Sequence, residues 1–453
     1  MFGALNRDQK EAVGLLQMGT FLEYFDLMLY VHMAVFLNDI FFPKSDPHTG
    51  SLLAAFAFCS SYILRPFGAL IFGYIGDNMG RKATIILTTI LMSVSCLVMA
   101  NLPTYAQIGI TAAWAVTLCR MVQGISSMGE MVGAEIYLTE ITKPPYSYVA
   151  VGLVAVAGAL GSSGALVVAT ITTNYNIDWR IAFWIGALIA VVGSMARTRL
   201  RETPDFVDMQ RRVKTNMDEA RLDGLGKLAE ALAETQTYFT EKPKHKTLLA
   251  YFLIYCTWPV CFYFIYIYCG EILKNKFGYT GADVIYNNLF VSLTGALSCF
   301  VFAISTLKLN PLTLLKVKFY AFVPVILVYP FILSSLTEAW QIFLFQNILC
   351  FFALTHVPAS PIFLSYFPVY RRFTYASYLY AGARAIMYII TSFGLIYLNE
   401  AFGDMGLLVL MVPVSLGFLW SVHHFEKLEE RYGCIPLQKK SRTREFIEAQ
   451  QGI

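Results

Sequence analysis

Gly73-Tyr-Ile-Gly-Asp-Asn-Met-Gly-Arg-Lys82 is a short polar loop set between two apolar runs, roughly residues 51–76 and 83–101. Each run is long enough to cross a bilayer, for which about 20 residues suffice. So short a connection makes the two runs antiparallel neighbours. Asp77, Arg81 and Lys82 can then be shared between helix ends, while Gly73, Gly76 and Gly80 permit close approach and a tight turn. Gly73, Asp77, Gly80, Arg81 and Lys82 are the candidates for a gate.

Working outward, the rest of the chain has the same character. Of 453 residues, 57% are apolar and only 14% charged, against soluble averages of about 45–50% and 25%. Apolar stretches fall near 13–36, 51–76, 83–101, 106–139, 148–172, 179–199, 247–271, 283–307, 312–334, 339–365, 373–399 and 404–425, which makes twelve expected membrane helices. Lys and Arg sort them. With both termini in the cytoplasm, the inner segments hold Arg81, Lys82, Lys143, the basic 197–246 stretch, Lys308, Lys316, Lys318, Arg371, Arg372 and the tail. The outer loops hold only Lys44, Lys274 and Lys276. Positive-inside sorting accounts for the net charge of +4, and nothing supports a nucleic-acid partner.

The first apolar run is too long and too acidic for a cleaved signal peptide. The nine cysteines are scattered through apolar segments without C-x-x-C or His clustering, so no disulfide framework or metal site is expected. No nucleophile, metal or phosphate-binding constellation of an enzyme is present in the pattern, and no cofactor is expected. The polar stretch 200–246 divides the helices six and six. Within it, Leu222, Leu225, Leu228 and Leu232 are spaced as on a surface amphipathic helix, here taken as a tether. The expected organisation is a first six-helix bundle over 1–199, a linker over 200–246, a second bundle over 247–426 and a tail over 427–453.

Ionisable groups at membrane depth cost at least ~2.5 kcal/mol each, which makes them functional candidates. Glu23 and Asp26 lie three residues apart near the middle of the first helix. Two carboxylates on one face of a low-dielectric cavity cannot both stay ionised cheaply, so one can load and release a proton. The fourth helix carries Arg120, Gln123, Ser127, Glu130 and Ala134 as a continuous small, polar stripe, expected to line a central cavity. Arg120 can bind a carboxylate or act on the protonation of Glu130 or Asp26. Glu135 and Glu140 follow, Glu140 being expected beside Arg81 in the closed gate. Arg65 and Arg384 are further deep cations, Arg384 about eleven residues in from its helix end. The candidates are thus Glu23, Asp26 and Glu130 for a proton, and Arg65, Arg120, Gln123 and Arg384 for an anionic group. His32 and His356 are possible relays. The seventh helix, with Tyr251, Tyr255, Trp258, Phe262, Tyr263, Phe264, Tyr266 and Tyr268, could cage a quaternary ammonium or simply pack.

The loop at 73–82 resembles the signature between helices 2 and 3 of the major facilitator superfamily. Gly73, Asp77, Gly80, Arg81 and Lys82 match it, while Asn78 replaces the usual Arg. Further stretches are similar to its metabolite:H+ symporter branch: Gly19-Thr-Phe-Leu-Glu-Tyr-Phe-Asp-Leu-Met-Leu-Tyr30, Leu64-Arg-Pro-Phe-Gly68, Arg120-Met-Val-Gln-Gly124, Gly129-Glu130, Gly133-Ala134, Asp178-Trp-Arg-Ile-Ala-Phe183 and Leu200-Arg-Glu-Thr-Pro-Asp-Phe206. Bacterial proline/betaine, α-ketoglutarate, citrate and shikimate transporters belong to that branch.

The resemblance implies an all-α membrane protein of two six-helix bundles in the bacterial inner membrane. It implies proton-coupled symport of a small zwitterionic or anionic metabolite, with a proline/betaine-type osmolyte ahead of dicarboxylates. Partners are then the solute, H+ and the lipid bilayer, with a monomer expected. The second-half counterpart of the loop, near 304–318, keeps only basic charge. A drug/H+ antiporter would centre its fifth helix on Gly-Pro, whereas Gly158-Ala-Leu-Gly-Ser-Ser-Gly164 has no proline and reads as close helix packing. Buried arginines suit a charged solute better than a sugar, and a non-transporting sensor would need a larger output domain than 200–246.

Overall fold

The structure is a computed structural model that describes residues 6–42, 61–175, 177–198, 202–203, 207–208, 211, 243–333 and 335–432. The amphipathic linker helix, most of the tail and residues 51–60 of the second run lie outside the described residues. Among those described there are twelve principal helices: α1 (Arg7–Phe41), α2 (Arg65–Asn78), α3 (Arg81–Asn101), α4 (Ile110–Ile141), α5 (Tyr146–Asn174), α6 (Trp179–Arg197), α7 (His245–Phe277), α8 (Gly281–Ser305), α9 (Pro311–Leu333), α10 (Ala339–Phe351), α11 (Arg372–Ile389) and α12 (Gly406–Tyr432). Six of them, α3, α5, α7, α8, α9 and α12, are long and uniformly apolar enough to span a bilayer by composition alone. Large apolar side chains such as Phe67, Ile71, Trp114, Leu118, Leu188, Tyr320, Phe331 and Leu416 are exposed around the outside. So extensive an apolar surface suits lipid, not water. The chain is a multi-pass membrane protein.

The helices form two bundles. In the first, α1 packs on α5 and α6, and α3 on α4 and α6; in the second, α7 packs on α11 and α12, α8 on α10, and α9 on α12. The bundles meet along two seams, α5 against α8 and α2 against α11. Glycines make these approaches possible. A Cβ on Gly161 of α5 would lie 2.1 Å from the Phe21 carbonyl oxygen of α1, and one on Gly124 of α4 would lie 1.9 Å from that of Ser61. The small-residue run at 158–164 is indeed a packing surface.

One end of the molecule gathers several termini. Gln9 at the start of α1 donates to the Ile141 carbonyl at the end of α4 (2.6 Å). Near the start of α7, Thr247 meets His424 of α12 (3.2 Å), and Lys316 of α9 pairs with Glu426 of α12 (2.6 Å). The α2–α3 loop and the start of α11 lie here too, and this is called the gate end below.

Three expectations change. The tenth span is not one helix over 339–365: α10 stops at Phe351 and helix resumes only over Ser360–Ser365. Pro361 falls in the first turn of the resumed helix, where a missing amide donor costs nothing. The last helix continues to Tyr432, past the expected boundary at 426, because Glu426, Lys427, Glu429, Glu430 and Arg431 extend it as a polar turn. Lys318, counted above with the inner positive charges, is a fully buried residue of α9.

Candidate functional site

The residues taken above as gate candidates form a network of charges shared by both bundles. The Asp77 carboxylate accepts from Arg81 Nη1 (3.1 Å) in its own bundle. Across the seam it accepts from the Phe373 amide (3.2 Å), the Thr374 amide (3.0 Å) and the Thr374 hydroxyl (2.7 Å). It therefore caps the N-terminus of α11 from another helix, where the free amides and helix dipole favour an anion. Arg81, with 0% exposure, also donates to the Val369 carbonyl (2.9 Å) and to Glu140 Oε1 (3.3 Å). Arg372 of α11 reaches the same Glu140 oxygen at 3.1 Å. Glu202 accepts from the backbone amides of Arg81 (3.0 Å) and Lys82 (3.2 Å) at the start of α3, and Thr203 donates to Glu140 (2.8 Å).

The gate glycines allow this proximity. A Cβ on Gly73 would come within 2.9 Å of Thr374 Cα, and one on Gly76 within 2.7 Å of the Phe373 ring. Gly80 turns the chain at φ +113°, which disfavours any residue with a side chain. Gly73, Asp77, Gly80, Arg81 and Glu140 thus come together, with Lys82 contributing a backbone amide. Arg372, Thr374 and Glu202 were not singled out; Arg372 counted only as positive-inside charge.

Above the gate a cavity of about 110 Å³ lies between the bundles. Tyr24, Met131, Gly158 and Ser162 line it from the first bundle, and Trp258, Lys318, His356 and Arg384 from the second. Arg384 is 4% exposed, sits over the Tyr380 ring at 4.8 Å, and its Nε has no hydrogen-bond partner among the described residues. Met131 sulfur accepts from the hydroxyls of Tyr24 (2.8 Å) and Tyr380 (3.1 Å), so its thioether joins the bundles beside Arg384. The break after α10 delivers His356, whose Nε2 lies 2.9 Å from Glu135 Oε1 of α4. Tyr255 of α7 packs against the His356 ring (4.4 Å) and donates to the other Glu135 oxygen at 3.5 Å.

The remaining candidates divide between this interface and the interior of the first bundle. Arg120 donates to Gln123 Oε1 (3.0 Å), Ser61 Oγ (3.3 Å) and the Leu27 carbonyl (3.4 Å), and lies over the Tyr30 ring. Gln123 turns to Cys96 of α3 (3.5 Å), and Ser127 donates to the Gly124 carbonyl (2.9 Å). The α4 stripe therefore faces its own bundle, and neither Arg120 nor Gln123 is among the residues lining the cavity. Helix rotation about its axis, which periodicity leaves free, makes that difference.

Glu23 and Asp26 also part company, though both are buried. Asp26 occupies the space that a Gly186 side chain on α6 would fill, 2.2 Å from the ideal Cβ position, and interacts with Cys96 of α3. Glu23, by contrast, acts on Tyr24 and Tyr380, as do Arg65 and Arg384. Arg65 lies 4.2 Å over the Tyr62 ring, which in turn meets Tyr388 of α11 at 4.0 Å. The Glu130 side chain lies outside the described residues. His32 is 3.4 Å from Ser162.

The comparisons with known proteins agree with this architecture. The family model of the Major Facilitator Superfamily matches residues 18–394. A proline/betaine transporter of Salmonella typhimurium is 32% identical over 222 residues, 48% of this chain and 44% of the relative. An inner membrane metabolite transport protein of Escherichia coli is 34% identical over 197 residues, 42% of this chain and 44% of that one. The chain spans about half the length of the curated relatives it matches. Among solved structures, a proton:xylose symporter superposes with a TM-score of 0.73 at 15% identity, covering 93% of this chain and 98% of that one. The outward conformation of another superfamily transporter gives 0.64 at 13% identity over 92% and 99%. The chain belongs to the Major Facilitator Superfamily.

Proposed function

We propose that this protein is a secondary transporter that takes up a small carboxylate-bearing metabolite together with protons by alternating access. The observation that carries the reading is Arg384: a buried guanidinium lining a cavity between the bundles, with an N–H unpartnered among the described residues. A buried cation needs an anion, and a planar fork of donors suits a carboxylate through two parallel hydrogen bonds. Sites between repeats near the bilayer midplane are where transporters of this architecture bind solute. At ~1.5 Å per residue, Arg384 stands about 18 Å from Arg372 at the start of α11, near the middle of a ~30 Å core.

Positive-inside charge puts the gate end in the cytoplasm, with both termini there, in the inner membrane of a bacterium. The closed Asp77–Arg81–Glu140–Arg372 network then describes a state shut toward the cytoplasm. Glu23 is the leading proton site, since it shares Tyr24 and Tyr380 with the cations of the cavity, and Asp26 and Glu130 follow. Relatives named as proline/betaine transporters favour a zwitterionic osmolyte, whose ammonium could rest against Trp258, Phe262 and Tyr266 on the cavity wall. The test is uptake into proteoliposomes of radiolabelled proline, betaine and simple organic acids, with and without an inward proton gradient. Gradient-driven accumulation of a carboxylate-bearing solute is expected; no accumulation of any of them would overturn the reading.

A further inference from the structure

Lys318 is a second cation of the cavity. It stands on α9 and is 1% exposed. Its Nζ donates to the Thr355 hydroxyl (3.0 Å) in the break after α10 and lies 4.5 Å from the centre of the Phe302 ring. Cys299 and Cys350 line the cavity beside it. Among the described residues no carboxylate lies within ion-pair distance of either Lys318 or Arg384. Glu135 is engaged with His356, and in the group around Tyr24 and Tyr380 the single acid Glu23 stands with two cations, Arg65 and Arg384. An ammonium at membrane depth without an acid beside it is expensive, and a protein supplies the counter-charge itself when the role is structural.

We propose that Lys318 and Arg384 form two anion subsites of one solute site, so that the preferred solute carries two acidic groups. The proposal rests on the transporter reading above and narrows its substrate class. The spacing is suitable. Lys318 is seven residues beyond Pro311, the first of α9, and Arg384 twelve beyond Arg372, the first of α11. At ~1.5 Å per residue Lys318 lies about 10.5 Å along α9 and Arg384 about 18 Å along α11 from their first residues. Both side chains are long, so their charged ends can approach the two carboxylates of a short-chain diacid. Lys318 acts as a point charge and Arg384 as an oriented fork, which lets the solute pivot about the fixed carboxylate. The zwitterion favoured by the relatives' names would instead bring its own cation toward Lys318.

The experiment uses the full chain in lipid nanodiscs and reads calorimetric binding of succinate, glutarate and adipate, each beside its monomethyl ester, with proline and betaine alongside. The wild-type protein is expected to bind at least one diacid tenfold or more tightly than its monoester. In Lys318→Met that ratio should fall to near one through loss of diacid affinity, and Lys318→Arg should restore most of it. A merely structural lysine would lower both affinities together. Monoesters that bind wild-type protein as well as the diacids overturn the proposal, and that comparison needs no variant to fold. Tighter binding of proline or betaine than of every diacid also overturns it, while gradient-driven uptake of those solutes would leave the transporter reading standing.

Discussion

The gate and the cavity treat buried charge in opposite ways. At the gate each cation has acids beside it: Arg81 has Asp77 and Glu140, and Arg372 has Glu140, all within 3.3 Å. In the cavity, Lys318 and Arg384 have aromatic rings, a hydroxyl and thiols instead. A closed set of charges holds two surfaces together and must be pulled apart for the bundles to move. An open set leaves attraction for something that arrives. On the transporter reading proposed above, the contrast separates a locking part of the molecule from a binding part, although both are built from buried arginines.

The sharpest way to break this comparison is at the gate. Losing one partner of a buried charge pair costs ~3–5 kcal/mol, and Arg81 serves two acids and a carbonyl. Arg81→Ala should therefore abolish uptake at matched membrane levels. Asp77→Asn keeps an acceptor for the α11 amides but loses the charge, and should shift the closed state by ~1–3 kcal/mol and slow uptake severalfold or more. Wild-type rates in both variants would remove the gate assignment.

The cavity comes next. A charge-assisted contact is worth ~1.5–3 kcal/mol, so Arg384→Gln should weaken apparent affinity about tenfold or more, with Arg384→Lys recovering only part. Unchanged half-saturation in the glutamine variant would show that the solute does not touch Arg384. The proton site can be sharpened by a paired measurement. Glu23→Gln should stop accumulation driven by a pH gradient while solute exchange persists, and Asp26→Asn should affect coupling less, because Asp26 is wedged against Gly186 inside one bundle. The reverse pattern would move proton handling from the interface into the bundle.

The smallest effect is expected two residues from Lys318. Lys316 pairs with Glu426 at 2.6 Å, but both side chains are partly exposed, at 22% and 32%. Such pairs contribute ~0–1 kcal/mol, so Lys316→Gln should leave uptake and thermal stability nearly unchanged. A marked loss would mean that proximity to this helix end matters more than burial.

That the gate candidates cluster was legible in the chain because they are local. Gly73, Asp77, Gly80 and Arg81 lie within nine residues, and a short turn between two membrane spans brings them together whatever the rest does. Membrane class, helix number and the packing role of the 158–164 run follow equally from composition and short-range spacing, because a bilayer demands long apolar helices and closely crossing helices demand small residues. The rest depends on contacts between distant segments. Periodicity places Arg120, Gln123 and Ser127 on one face of α4 but leaves open whether that face meets the cavity or α1, α3 and Ser61 ahead of α2; packing turned it inward. Glu135 and His356 are 221 residues apart and meet where the tenth span is broken. Lys318 counts in the sequence only as one more inner positive charge, and only the packing of α9 between its neighbours makes it a buried cation beside a cavity. Local spacing determines which residues can share a helix face, while the rotation and depth of each helix, set by every neighbour at once, decide what that face meets.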